Sequence, residues 1–284
     1  MLVASALFAT MGVFAKLGAQ HFTAAELVFW RSALGLAGMW LLARVRGWPT
    51  RTPHVRRHFD RAASGVLSLG LYFWCISRLP LATAVTLNYT SPIFLALLAA
   101  WHRHERPSPV LMTAVGAGFA GLVLLLEPTL HADQWLDGLL GLASGALAAL
   151  AYWNVKALGA AGEPPWRVVL YFTAFSTVAA ALWMAVTGVF HPPDAQTAWL
   201  LAGLALTATV AQNAMTRAYH GGATLVVGAL SFVTVIFSTL LGLALWGEAL
   251  PPHAWWGIAF IIVGGIASLR AERQRLAALA PEPG

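Results

Sequence analysis

Charge is scarce in this sequence. Of its 284 residues 10% are charged and 59% are hydrophobic, against about 25% charged in an ordinary soluble domain. A water-soluble fold of this length would lack the polar surface to cover itself. Cysteine is nearly absent: Cys75 stands alone, which excludes an intrachain disulfide framework and a thiolate metal site. Its place inside an apolar run marks it as a small buried residue. The histidines (His21, His54, His58, His102, His104, His131, His191, His220 and His253) all fall in expected loops or at helix ends. An intramembrane metallo-hydrolase or a Ser-His protease would need one within a span. G-x-S-x-G, H-E-x-x-H and P-loop patterns are missing too, and no two carboxylates share a span. The expectation is therefore a protein without enzymatic activity, metal or cofactor. The net charge is +6, but the basic residues form no stripe interleaved with aromatics, so nucleic acid is not an expected partner. No basic segment precedes the first apolar run, which argues against a cleavable signal peptide. That run ends at Lys16 or Leu17, short for a span of about 20 residues. Either the true start lies upstream of Met1 or this helix is tilted.

What is abundant is long apolar sequence. Charges, prolines and turn residues divide it into ten segments: 2–18, 25–43, 62–78, 82–101, 109–126, 137–155, 167–188, 197–216, 223–246 and 253–270. Most match a hydrocarbon core of about 30 Å at 1.5 Å per residue. In lipid such segments must be helical, because no water is there to satisfy a strand edge. Trp48, Trp101, Trp135, Trp166, Trp246, Trp255 and Trp256 fall near segment ends, where interfacial tryptophans belong.

Orientation follows from the arginines. With the N-terminus in the cytoplasm, 14 of the 17 basic residues lie on the cytoplasmic side, and only Lys16, Arg31 and Arg78 fall in or near the opposite face. The outer loops 127–136 and 189–196 hold Glu127, Asp133 and Asp194 and neither Lys nor Arg. This asymmetry predicts an even number of spans with both termini cytoplasmic, in the inner membrane. A shift of 143 residues brings Ile93-Phe94 onto Ile236-Phe237, Glu105-x-x-x-Pro109 onto Glu248-x-x-x-Pro252, and Gly121 onto Gly264. Five spans per half is odd, so the second half must be inverted, an arrangement common among secondary transporters. The expected fold is an all-α integral membrane protein of ten transmembrane helices in two inverted repeats. The first repeat is 1–126, an outer linker is 127–136, the second repeat is 137–270, and 271–284 is a cytoplasmic tail.

Several residues carry a further likeness. Lys16 followed by Phe29-Trp30-Arg31-Ser32, the stretch Asn88-Tyr89-Thr90-Ser91-Pro92, and an acid-containing turn before spans 5 and 10 resemble the EamA family of the drug/metabolite transporter superfamily. The resemblance covers roughly residues 1–270. It implies a carrier of small organic solutes working by alternating access, with four helices of each half around a cavity and spans 5 and 10 packed behind. One position departs from it: Val235 stands where the second half would match Pro92, so a proline hinge is expected in one half only.

The candidate site residues follow from intramembrane polarity, which is costly and usually functional. Arg31 lies ~10 Å into span 2 and either binds a substrate carboxylate through its fork or pairs with Glu26. Lys16 either snorkels to the outer interface or serves as a gate with Glu26. Glu105 and Glu248 precede helices and read as dipole-complementing structural acids. Asn88, Tyr89 and Ser91 lie just before Pro92, whose ring removes a backbone bond and kinks the span. Trp153, Asn154, Gln212, Asn213, Ser231 and Thr234 can complete a cavity, or else bond helix to helix. Tyr72 and Trp74 can give it aromatic walls. Gly116, Gly118, Gly121, Gly257, Gly264, Gly265 and the pair Gly141 and Gly145 permit close helix approach. The expected ligands are a small polar or zwitterionic, amino-acid-like metabolite and the bilayer, with a homodimer as an open option. Efflux is the favoured direction, uptake of a cofactor- or nucleotide-derived solute the alternative, and a membrane enzyme on a lipid-linked substrate the competing class.

Overall fold

The computed structural model describes residues 1–79, 81–103, 108–128, 130–247 and 251–278. Among these residues there is no strand. Twelve α-helices follow in order: α1 (Leu2–Gly18), α2 (Ala24–Val45), α3 (Val55–Arg78), α4 (Leu81–Asn88), α5 (Ser91–Arg103), α6 (Pro109–Leu126), α7 (Trp135–Ala160), α8 (Pro165–Thr187), α9 (Ala198–Gly221), α10 (Thr224–Ser231), α11 (Val233–Trp246) and α12 (Pro252–Ala278). α4 and α5 are parts of one apolar span, as are α10 and α11, so the described residues make ten helices. Eight of these spans are long and apolar enough to cross a membrane; α1 is shorter, and the first turns of α3 carry Arg56, Arg57 and His58. The protein is a multi-pass membrane protein.

Helix boundaries follow local chemistry. Thr23 caps α2: its hydroxyl accepts from the Glu26 N–H, and the Glu26 carboxylate accepts from the Thr23 N–H at 2.7 Å. This reciprocal box satisfies two donors the helix start would leave bare. Pro109 and Pro165 open α6 and α8 at positions where a missing N–H costs nothing. Gly188, at φ 67°, closes α8 in the left-handed conformation that glycine adopts without strain. Several helices outrun the expected spans, α3 and α12 the furthest. α3 begins at Val55 rather than 62, and α12 continues to Ala278, carried by the good helix formers Ala, Glu, Arg, Gln and Leu.

The chain falls into two contact units, and neither is a sequence half. The first comprises Met1–Leu67, Asn154–Gly221 and Phe237–Glu248. In it α1 packs on α9, and α2 packs on α8 and α9. The Phe14 ring covers Gly203, where a Cβ would stand 2.4 Å away, and meets Trp199 edge-on at 6.1 Å. Phe22, Leu27, Leu201 and Leu204 form one apolar cluster and Met39, Val169 and Leu170 another.

The second unit comprises Ser68–Trp153, Gly222–Ile236 and Ala249–Gly284. Its tightest seam joins α6 to α12. A Cβ on Gly121 would lie 2.5 Å from the Gly257 carbonyl oxygen, one on Gly257 2.6 Å from that of Gly121, and one on Gly264 2.6 Å from that of Ala114. Backbone touches backbone, which maximises van der Waals contact where no hydrophobic effect drives helices together. Gly141 and Gly145 likewise seat α7 against Leu87 and Thr90. Gly116 is a correction to the packing expectation: nothing lies within 4 Å of where its Cβ would stand.

Both broken spans lie partly in this unit. The first breaks at Tyr89–Thr90 and the second at Phe232, positions that coincide under the 143-residue shift. A proline stands beside the first break only, and the second half breaks without one. Pro92 accounts for the first. In the second, the Ser231 hydroxyl donates to the Gly228 carbonyl at 2.6 Å, a local bond that competes with the helical ladder. The Thr90 hydroxyl does the same to the Leu87 carbonyl at 2.6 Å.

Candidate functional site

In the first unit the central residue is Arg31. It sits on the eighth position of α2, ~10 Å along the helix from its start, and is half-buried. Among the described residues no carboxylate, hydroxyl or carbonyl pairs with it. The partner considered from sequence, Glu26, is engaged elsewhere. It is fully buried, accepts from the Thr23 hydroxyl at 2.8 Å, and accepts from the His191 backbone N–H. His191 Nδ1 adds a contact 3.1 Å from Oε2. The carboxylate thus ties the loop before α9 to the start of α2 and leaves Arg31 as a cation in a span without a counter-ion among the described residues. Asn154, on α7, is half-buried and its amide makes no hydrogen bond among the described residues. On α9, Gln212 and Thr216 lie one turn apart and buried. The Gln212 Nε2 and the Thr216 hydroxyl have no partner among the described residues. A buried amide left so costs about 1–3 kcal/mol, which water or a ligand would offset. Asn213 differs: it donates to the Thr209 carbonyl at 3.0 Å on its own helix and lies 3.4 Å from Met39 Sδ. Lys16 rests its ammonium 4.1 Å from the Trp246 ring centroid.

In the second unit a chain of hydrogen bonds converges on Ser144. The Asn88 amide donates to the Ser144 hydroxyl at 3.1 Å, and that hydroxyl donates to the Gly141 carbonyl at 2.7 Å. The Ser68 hydroxyl donates to the Ser144 carbonyl at 2.7 Å. Tyr89 is hydrogen-bonded with Thr234, and Tyr72 and Tyr152 lie within electrostatic range of its hydroxyl. Its ring packs on Phe232 with centroids 6.3 Å apart. The Pro92 ring faces Gly228, where a Cβ would lie 3.3 Å from it. The structure therefore gathers Asn88, Tyr89, Thr234, Tyr72 and Pro92 around the break in the span. Ser91 is buried beside it, while Ser231 turns its hydroxyl back to its own helix and Trp153 is half-buried. Trp74 lies apart: it is 46% exposed, donates to Asp137 at 3.0 Å and carries the Arg78 guanidinium on its ring at 4.3 Å. Cys75 is buried, its thiol 3.4 Å from the Asp137 carbonyl. Glu105 and Glu248 lie outside the described residues.

Sequence reasoning missed Ser68, Ser144 and Tyr152, since small hydroxyls and a tyrosine in an apolar run carry no signal before helices are paired. It also missed a buried ionic cluster in the first unit. Glu163, just before α8, takes a hydrogen bond from the Thr52 hydroxyl and one from Arg167 at 2.9 Å. His58 Nε2 stands 3.3 Å away, an ion-pair distance without hydrogen-bond alignment, and its ring stacks on Tyr171 at 4.4 Å. Arg167 also donates to the Pro49 carbonyl at 2.7 Å, so the cluster straps the loop after α2 to α8. Burial pushes the Glu163 carboxyl up, but the hydrogen bonds from Thr52 and Arg167, with His58 close by, outweigh it and hold the group below the ordinary carboxylate range. Burial is also the main cause that holds His58 below the usual imidazole value, against the opposing pull of Glu163. Among the described residues no cluster of His, Cys, Asp and Glu could hold a metal ion.

Residues 1–127 match the profile of the EamA-like transporter family. The chain is 27% identical over 274 residues to a pseudopaline exporter of Pseudomonas aeruginosa, covering 95% of each sequence. It is 29% identical over 261 residues to a riboflavin transporter of Rhizobium johnstonii, covering 89% of this chain and 83% of that one. A crystal structure with 19% sequence identity superposes with a TM-score of 0.85 over 95% of this chain and 96% of that one, a likeness of fold.

Proposed function

We propose that this chain is a membrane transporter of the EamA family, whose profile residues 1–127 match, and that it exports a small polar metabolite bearing a carboxylate, by alternating access of two inverted repeats, 1–126 and 137–270, in an inner membrane with both termini cytoplasmic. The observation that carries the substrate class is Arg31, a guanidinium in a span, with Glu26, the acid of the same helix, already satisfied. A charge is kept there only if something binds it part of the time, and a planar fork fits a carboxylate best. The unpartnered amide of Gln212, in the same unit, is proposed as a further substrate contact, and the Asn88, Tyr89 and Thr234 groups of the second unit as a candidate site considered by itself. Pro92 and the matched break at Phe232 are proposed as points of flexure. Efflux is favoured by the exporter that matches along 95% of both chains.

A second reading is uptake of an aromatic cofactor-like solute. The tyrosines Tyr72, Tyr89 and Tyr152 and a relative named as a riboflavin transporter favour it.

Counterflow in proteoliposomes separates the two. Vesicles loaded with unlabelled amino acids or with riboflavin are given the labelled compound outside. Accumulation of a labelled amino acid above protein-free vesicles supports the first reading and of riboflavin the second; if neither class moves, both fail. In the first case Arg31→Gln is expected to raise KM by about 10- to 100-fold, the worth of a charge-assisted hydrogen bond. Arg31→Lys recovers part of it, and a KM unmoved by Arg31→Gln removes Arg31 from the site.

A further inference from the structure

A groove of about 660 Å³ lies in the first unit among α2, α8 and α9. α2 and α9 run parallel along it, because Gly35 faces Thr209 and Met39 faces Asn213 four residues on in each helix. The α2 wall is Leu34, Gly38 and Leu42, one helical face, and the α9 wall runs from Ala202 to Arg217, ~22 Å at 1.5 Å per residue. That exceeds half the thickness of a ~30 Å hydrocarbon core. The groove opens to the side, with Leu206 66% exposed on its rim. Of its neutral polar wall residues, Asn213 has its amide donor tied to its own helix and Thr209 turns its hydroxyl toward Gly35, so the walls offer mostly hydrocarbon.

One end is different. Trp48 and Trp166 stack there at 4.9 Å, in the manner of interfacial aromatics. Arg217 is exposed and has no ion pair among the described residues. The Arg46 and Arg167 guanidinium groups lie 5.4 Å and 5.3 Å from the Trp48 and Trp166 rings. An apolar trough that ends in two tryptophans and exposed positive charge complements an acyl chain with an anionic headgroup. We propose that this groove holds one anionic phospholipid of the leaflet on the arginine-rich face, its tail along Leu34, Gly38 and Leu206 and its phosphate at Arg217. The site needs only that α2 and α9 cross the membrane, so it stands or falls apart from the identity of the transported solute.

Native mass spectrometry of the full chain tests it, with phosphatidylglycerol or phosphatidylcholine of identical acyl chains added to the detergent. The wild type is expected to retain one phosphatidylglycerol with about fivefold preference over phosphatidylcholine, the worth of one cation near an anionic surface. Arg217→Gln abolishes the preference while keeping tail binding. Gly38→Leu reduces binding of both lipids, since nothing lies within 4 Å of the Gly38 Cβ direction and the new side chain fills the trough. Equal retention of the two lipids by the wild type overturns the proposal, as does a preference that survives Arg217→Gln, or full binding by a folded Gly38→Leu protein. Arg217 is an exposed side chain, so its variant tests the headgroup contact even if Gly38→Leu yields no folded protein.

Discussion

Replacing Glu163 by alanine is expected to destabilise the protein by about 3–5 kcal/mol, the usual cost of removing one partner from a buried ion pair. The carboxylate is the common acceptor of Thr52 and Arg167 and lies 3.3 Å from His58 Nε2, and its loss frees the strap that holds the loop after α2. The same cluster sets an acid sensitivity whose sign can be worked out. Glu163 in the folded protein sits below its ordinary value of 4.5 and His58 below its ordinary 6.5. For each, the unfolded chain binds protons more readily than the folded one, so stability rises with pH. The contribution of His58 is complete above about 6.5 and is lost as pH falls below that value toward its folded one. The Glu163 contribution is complete above about 4.5 and is lost at lower pH. The wild-type melting temperature in detergent should therefore decline on acidification in two stages. His58→Phe keeps the stacking on Tyr171 and should remove the upper stage alone. A melting profile of that variant parallel to wild type between pH 7 and 5 would show that His58 titrates as it does in the unfolded chain.

The α6–α12 seam gives the second large effect. Gly121→Ala adds one methyl, but the atom it meets is the Gly257 carbonyl oxygen at 2.5 Å, with the Ile261 nitrogen at 2.9 Å. Neither is the end of a flexible side chain, so the helices must part along their length. Overpacking of this kind costs about 1–3 kcal/mol, and Gly121→Leu should cost more or prevent folding. Gly116→Ala, on the same helix with open space at its Cβ, is the control. It should be neutral or stabilising by up to about 1 kcal/mol from helix propensity alone. Equal melting temperatures for the two alanine variants would mean that the seam is looser than these distances.

These residues show which parts of the molecule can be read in advance. The ten helices and the tight fit of Gly121, Gly257 and Gly264 were legible, because apolar length and small residues are one-dimensional signals. The engagement of Glu26 by His191 was not, since 165 residues separate them and only the packed loop brings them together. Glu163 carried no signal for the same reason: its burial is made by Thr52, His58 and Tyr171 from other segments. Pro92 announced one helix break through its missing N–H, whereas the break at Phe232 rests on a serine hydroxyl, a residue type that also sits quietly inside helices. Asn213 looked like Gln212 in sequence, and only the Thr209 carbonyl distinguishes a satisfied amide from an unsatisfied one.

The glycine seam also sets a timetable for biosynthesis. Gly121 and Gly257 are 136 residues apart, which at roughly 5–20 residues per second is about 7–27 s of translation. During that interval α6 is already made while its partner is still unwritten, and lipid must line the notch that α12 will later fill. The second contact unit is thus completed only when α12 emerges. A chain that stops before Pro252 leaves the ribosome with its closest backbone contact unmade, however well the earlier helices have inserted.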